Sequence, residues 1–312
     1  MTDQLPPPAP GRPLRFGLAG TGYWARVAHA RALAATPGLT LAAVWGRNPA
    51  AAAELAGQHQ ATAHSDFDAF LADVDAVAFS IPPDVQAELA ARAAHAGKHL
   101  LLEKPVATDL ASADALVQAV TGAGVASVVF FTARFQPEIR AWLSDIAGSG
   151  WISGQALWLG SAVTGSSPFN TPWRREKGGL WDLGPHALSV LSASLGPIVS
   201  VLAAGGPGDV SHLILRHDGG ATSTVTVTVR APETLDQFEL LVWGERGRAA
   251  MPALGGDPVV ALRTALSELA RNARTGVTDH PCDVRFGRDV TRVLAAAQEQ
   301  IQGGAGRESA TR

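Results

Sequence analysis

Two features of this sequence bring together side chains suited to chemistry: a lysine after a buried strand, and an Asp-x₃-His pair far downstream. Lys104 follows the apolar run Leu100-Leu101-Leu102 and Glu103, and precedes Pro105. Proline cannot continue a strand ladder, so the chain must turn there. The carboxyl ends of parallel strands are where open α/β sheets bind ligands. Asp182 and His186 enclose Leu183-Gly184-Pro185, a spacing that puts both side chains on one face of a helix. An imidazole, with an ordinary pKa of about 6.5, can exchange a proton near neutrality. An ammonium group beside the same oxygen can orient it and stabilise developing negative charge. A carboxylate can hold the imidazole or the substrate in place. Alcohol oxidation needs a base for the hydroxyl proton while a hydride leaves carbon, and the three groups together suit that task. Taken alone, the Asp/His pair could equally cap a helix or satisfy itself. A metal site would need a third ligand, for which Glu176 is the nearby candidate, and no metal is expected.

A hydride also needs a carrier. Gly20-Thr21-Gly22-Tyr23-Trp24-Ala25 follows an apolar strand and opens a helix, the context that a dinucleotide-binding turn requires. Gly20 permits the tight turn, Gly22 lets backbone approach a pyrophosphate, and Ala25 lets the helix pack on the strand. A helix N-terminus facing phosphates is favourable in itself. The next strand should distinguish NAD from NADP. Where an NAD site usually has a carboxylate for the ribose, this chain has Val44-Trp45-Gly46-Arg47-Asn48. Gly46 leaves room, and the planar fork of Arg47 matches a 2′-phosphate. NADP is therefore the expected cofactor, with NAD possible.

Several elements must position these groups. Apolar runs at Arg15–Ala19, Leu39–Trp45, Ala76–Ile81, His99–Leu102 and Val125–Phe131 alternate with helix-prone stretches at Trp24–Ala35, Pro49–Gly57, Val85–Ala96 and Leu110–Thr121. That βαβ rhythm predicts a doubly wound parallel sheet over residues 14–131. From 132 to 302 the pattern becomes α+β, with an open, mostly antiparallel sheet. It begins with a helix at Pro137–Ile146 and a strand at Trp151–Gly160. A polar loop then spans Ser161–Lys177, followed by a helix from Gly178 to Ser194. Thr222–Val229 alternates threonine and valine, the period of a half-buried antiparallel strand. Strands at Gln237–Trp243 and Arg248–Met251 and helices at Val259–Arg274 and Val284–Ile301 complete the domain. Residues 1–13 read as a disordered leader and 303–312 as a disordered tail.

Composition bounds the partners. Of 312 residues, 46% are hydrophobic and 17% charged, with a net charge of −3, which describes a packed globular chain. That charge gives no reason to expect nucleic acid or an anionic membrane as a partner. No apolar run reaches membrane-spanning length. The single cysteine, Cys282, forbids an intrachain disulfide and fits a cytoplasmic location. Tyr23, the only tyrosine, is not followed by lysine four residues on, which excludes a Tyr-x₃-Lys dehydrogenase. Neither a Gly-x-Ser-x-Gly elbow nor a P-loop is present.

Four segments together resemble the glucose–fructose oxidoreductase/inositol dehydrogenase/MocA family. They are Gly17–His29, Ala96–His99 leading into Glu103-Lys104-Pro105, Trp173-Arg174 with Gly178–His186, and Asp279-His280-Pro281. The resemblance implies a Rossmann domain and a C-terminal domain whose open sheet makes homo-oligomers. It implies Lys104, Asp182 and His186 as the catalytic set, with His186 the proton donor or acceptor. The implied cofactor contacts are Gly20, Thr21, Gly22, Tyr23, Trp24, Gly46, Arg47, Ser80, Ile81, Pro82, Gln86, Glu103, Lys104, Arg134, Trp173 and Arg174. Sugars and polyols are the implied substrates. Gln86 stands where the family often has histidine, and Ser189 replaces a common aspartate. These departures bear on substrate identity more than on hydride chemistry. Two other readings remain: a nucleotide sensor without catalysis, and a dehydrogenase of a dihydrodiol or imine.

Overall fold

The computed structural model describes residues 11–148 and 150–309. The chain forms two compact units. The first runs through Phe135 and takes up Gly256–Arg288 again, and the second comprises Gln136–Gly255 and the chain from Asp289. Most of the expected leader lies outside the described residues.

The first unit is built on six parallel strands: β1 (Leu14–Ala19), β2 (Leu39–Trp45), β3 (Thr62–His64), β4 (Ala76–Phe79), β5 (His99–Glu103) and β6 (Ser127–Phe130). Their order is β3-β2-β1-β4-β5-β6, so the chain winds outward from β1 in both directions. Phe16, Leu18, Phe79, Leu100, Leu101, Leu102 and Phe130 are wholly buried, as strands covered on both faces must be. The helices between them have legible ends. Asn48 and Asp109 accept bonds from the backbone N–H of Ala51 and Ser112 at the starts of Pro49–Gln58 and Leu110–Ala123, and the latter stops at Gly124 with φ +64°. The helix following β1 runs through a π-helical stretch, Ala25–Ala30, into Arg31–Ala35.

Segment 256–288 was expected in the second domain but packs with the first unit. The helix Pro258–Thr275 lies against Arg31–Ala35, β5 and β6, and Arg274 Nη2 donates to Gly38 O at 2.8 Å. The chain beyond it covers the free edge of β6: Val129 N donates to Cys282 O at 2.7 Å, and Val284 N to Ser127 Oγ at 3.1 Å. Such a return follows from side-chain complementarity between distant segments, which local periodicity does not carry.

The second unit has the mixed sheet β12-β11-β7-β10-β9-β8, made from β7 (Trp151–Leu159), β8 (Ile198–Gly205), β9 (Ser211–His217), β10 (Thr222–Thr228), β11 (Gln237–Gly244) and β12 (Gly247–Ala250). The Thr/Val strand β10 is antiparallel to β9, as expected, but parallel to β7. The helices and strands between β7 and β10 make the crossover that such pairing needs. Gly184–Leu195 packs on β7 and β10 and buries Ala187, Leu188, Val190 and Leu191 completely. The expected loop at 161–177 is shorter: a helix begins at Pro172, capped by Thr171, and the expected single helix from Gly178 is two. The final helix extends to Ser309, through most of the expected tail. Among the described residues, no helix is long and apolar enough to cross a membrane.

His217 ties the turn after β9 to the end of the helix Gly184–Leu195. It is 1% exposed, with Nδ1 2.7 Å from Gly196 O and Nε2 2.9 Å from Ser223 Oγ. Nδ1–H therefore donates to the Gly196 carbonyl. Burial lowers its pKa, with the Gly196 bond opposing. The unfolded chain then takes up a proton near its ordinary pKa of about 6.5 while the folded one resists. Stability present above that pH should be lost as the pH falls below it, by up to about 1.4 kcal/mol per pH unit for this group. Thermal melts from pH 8 to 5 should show a shallower acid loss in His217→Gln than in the native chain. Equal slopes would remove His217 as the cause.

Candidate active site

The nucleotide turn is built at the ends of three neighbouring strands. Gly20 N donates to Trp45 O and Ser80 N to Ala19 O, both at 2.8 Å, which ties the ends of β1, β2 and β4 together. Gly20 has φ +130°, and a Cβ there would lie 2.2 Å from Ser80 O and 3.3 Å from Ile81 Cγ2. Gly46 is close to the same loop, and its Cβ would sit 2.7 Å from the Thr21 side-chain methyl Cγ2. At Gly22, by contrast, nothing lies within 4 Å of a Cβ position. The next helix opens directly after it, at Tyr23. Tight turn, open backbone and helix N-terminus fit a dinucleotide pyrophosphate. Arg26 secures the loop from behind, donating to Thr21 O and to Glu54. Arg47 is exposed at the end of β2, while Asn48 is occupied as the cap of the next helix.

Glu103-Lys104-Pro105 is braced from two sides. Glu103 Oε1 accepts from Trp24 Nε1 at 2.8 Å and is 2.8 Å from His29 Nε2. His29 is wholly buried, edge-on to Phe130. Gln86, also wholly buried, receives the Glu103 N–H on Oε1 at 2.9 Å and donates from Nε2 to Glu103 O at 2.8 Å. Pro105 O lies 3.3 Å from the same Nε2. Gln86, expected at the cofactor, bonds through its amide to the backbone that presents Lys104. Trp24 and Glu103, expected at the cofactor too, are bonded to each other. Lys104 itself is half-buried, and its bond to Pro105 is cis. Arg134, half-buried, holds its guanidinium 5.8 Å from the centre of the Phe286 ring.

The second unit carries Asp182 and His186, 4% and 8% exposed. Arg174 Nε donates to Asp182 Oδ2 at 2.8 Å, and its guanidinium lies over the Phe169 ring. Trp173 and Arg174, expected at the cofactor, thus belong to the unit with the Asp/His pair, and Arg174 has a definite partner there. Asp182 closes the helix Pro172–Asp182, and His186 is the third residue of Gly184–Leu195. Leu183 between them keeps near-helical angles, with its N–H on Gly179 O, so the two residues stand about one helical turn apart. His186 is 5.5 Å from Trp158, ring centre to ring centre, and Trp158 stacks on Phe238 at 4.2 Å.

The contact of His29 with Glu103, the pairing of Trp158 with Phe238 and the bracing role of Gln86 had no visible sequence signal. Each depends on a partner at least 17 residues away.

Fold and site together define a nucleotide-dependent oxidoreductase. The chain belongs to the Gfo/Idh/MocA oxidoreductase family: its NAD-binding Rossmann profile matches residues 14–131 and its C-terminal domain profile residues 151–250. An inositol 2-dehydrogenase of Rhizobium meliloti (strain 1021) is 28% identical over 253 residues, covering 76% of this chain and 75% of the relative. A UDP-N-acetylglucosamine 3-dehydrogenase of Acidithiobacillus ferrooxidans is 39% identical over 104 residues, 33% of this chain and 32% of that protein. The solved structure of GenD2 from gentamicin A biosynthesis, in complex with NAD, superposes with a TM-score of 0.81 at 20% identity, covering 96% of this chain and 97% of that one.

Proposed function

We propose that this protein is an NADP-dependent dehydrogenase or reductase acting on a secondary alcohol or carbonyl of a sugar- or polyol-like substrate. The observation that carries the reading is the buried Asp182/His186 pair, its carboxylate held by Arg174, in a chain that also has the nucleotide turn and the braced Lys104. The bound nicotinamide supplies or accepts the hydride. His186 exchanges the proton at the substrate oxygen, Lys104 orients that oxygen and stabilises its negative charge, and Asp182 orients the substrate. The names of the relatives support a hydroxylated ring as substrate. A fluorescence titration with NADPH and NADH, then a screen of inositols, pyranoses and open-chain polyols for NADP⁺ reduction, tests the proposal. Tight nucleotide binding without turnover anywhere in the panel would favour the sensor.

A substrate with an apolar ring face, such as a dihydrodiol, is the second reading. Trp158 is half-buried, stacked on a half-buried Phe238 beside His186. That pair offers a flat aromatic surface to one face of a ring.

Preference for NADP rests on Arg47 and on the lack of a carboxylate at the end of β2. A charge-assisted bond to a 2′-phosphate contributes about 1.5–3 kcal/mol. Arg47→Ala should therefore weaken NADPH by roughly tenfold or more and NADH by less than about twofold. Equal losses in paired titrations would refute the 2′-phosphate role.

Self-association through the open face of the second sheet belongs to the same proposal. Leu202 and Ile214 are register partners there and are 66% and 56% exposed. Solvent-facing leucine and isoleucine on adjacent strands favour a covering surface.

A further inference from the structure

The helical turn that carries Asp182 begins at a kink. Gly178 has φ +65° and ψ −167°, a conformation open to glycine almost alone. Gly179 packs directly on the end of β10, and a Cβ there would lie 2.7 Å from Thr228 Cα and 2.8 Å from Thr228 N. Into this junction comes the carboxylate of Asp209, from the loop between β8 and β9, with its side chain 12% exposed. Its Oδ2 accepts from Gly179 N at 2.8 Å and from Val229 N at 3.0 Å, and its Oδ1 accepts from Thr228 Oγ1. The Arg230 guanidinium stands 4.0 Å from Oδ1 and balances the charge. One carboxylate thus joins a loop, a strand end and a helix start.

We infer that Asp209 is a positioning residue for the Asp182/His186 pair, an inference that rests on the catalytic reading of that pair. The first N–H groups of a helix have no partner within it, and an acidic side chain accepting from them fixes both the start and the direction of the axis. Here the cap comes from 30 residues away in sequence, because Gly178 and Gly179 have no side chains to supply one. Gly179 O in turn receives the Leu183 N–H at 2.9 Å, so the position set by Asp209 passes directly into the turn holding Asp182, and through Leu183 to His186. Charge-assisted bonds to two backbone donors are among the stronger restraints available to a loop.

The test compares Asp209→Ala, Asp209→Asn and Thr228→Val with the native chain bound to NADPH. It reads the His186 ring resonances by NMR, amide exchange over residues 178–187, and nucleotide affinity. Asp209→Ala should shift or broaden the His186 signal and speed exchange in that segment by roughly tenfold or more, while His64 in the first unit and NADPH affinity stay unchanged. Asp209→Asn keeps an oxygen for both N–H groups and should restore most of the native signature. Thr228→Val removes one bond and should give the same local change at smaller amplitude, which keeps the question answerable if the alanine variant does not fold. Turnover of Asp209→Ala on the best substrate should fall roughly tenfold to a hundredfold with nucleotide KM unchanged. Native His186 signals and exchange in Asp209→Ala, or in Thr228→Val if the alanine variant does not fold, would overturn the assignment. So would a change spread equally over His64. Native turnover in His186→Asn would instead overturn the catalytic reading, leaving the structural result for Asp209 standing.

Discussion

His186→Asn and Lys104→Met should each lower turnover by roughly 10²–10⁴-fold and leave NADPH affinity within about twofold of native. Asparagine keeps a polar group of similar reach but cannot take up a proton near neutrality, so on the proposed role the step lost would be proton exchange at the substrate oxygen. Methionine keeps the length and stem of the lysine and removes its charge, so the loss there is electrostatic. If both residues serve one transition state, as proposed, the double variant should be little worse than the poorer single one. Steady-state kinetics on the best substrate from the screen, with NADPH titrations alongside, measure all of this. Native rates in both variants would end the catalytic assignment. Losses confined to KM would make the two residues substrate binders. Arg174→Ala distinguishes direct from supporting roles within the second unit. It frees a 4%-exposed carboxylate from its 2.8 Å partner, so turnover should fall with the Asp182 geometry while the nucleotide turn is untouched.

The parallel sheet was legible because its strands are short apolar runs between capped, alanine-rich helices, a pattern local in sequence. Leu39–Trp45 and the glycine turn could be placed from spacing alone. β3 was not visible, since its three residues are partly exposed and carry no apolar run. The loop expected at 161–177 hid a helix start because Thr171 and Pro172, a cap and a proline at the first turn, sit inside a stretch dominated by polar and turn-forming residues. The kink at Gly178 was read as a helix beginning, which is half the truth: the helix restarts there, capped by a carboxylate from another loop. The bracing bonds of Gln86 were not legible, because a buried amide is claimed by whichever backbone groups lie nearest, and those are 17 to 19 residues away.

Gly20→Ala should cost the chain its nucleotide. With φ at +130°, any side chain there carries strain of about 1–3 kcal/mol before packing is considered. Packing makes it worse, because the added methyl would lie 2.2 Å from Ser80 O and 2.8 Å from Ser80 C, and backbone atoms cannot rotate away. Relief requires the β1 turn to move from β4, which breaks the bonds from Gly20 N to Trp45 O and from Ser80 N to Ala19 O. Those bonds hold the strand ends against which a pyrophosphate would lie. NADPH affinity should therefore fall by a hundredfold or more, on the order of 3 kcal/mol, with a lowered melting temperature. Gly22→Ala is the informative companion. Nothing surrounds its Cβ position, so the apo protein should melt almost as the native one does, while the methyl would stand in the proposed path of the phosphates. A Gly22→Ala variant that loses stability but keeps NADPH would mean that this turn serves the fold alone. A stable variant with weakened NADPH would tie the open backbone at Gly22 to the ligand itself.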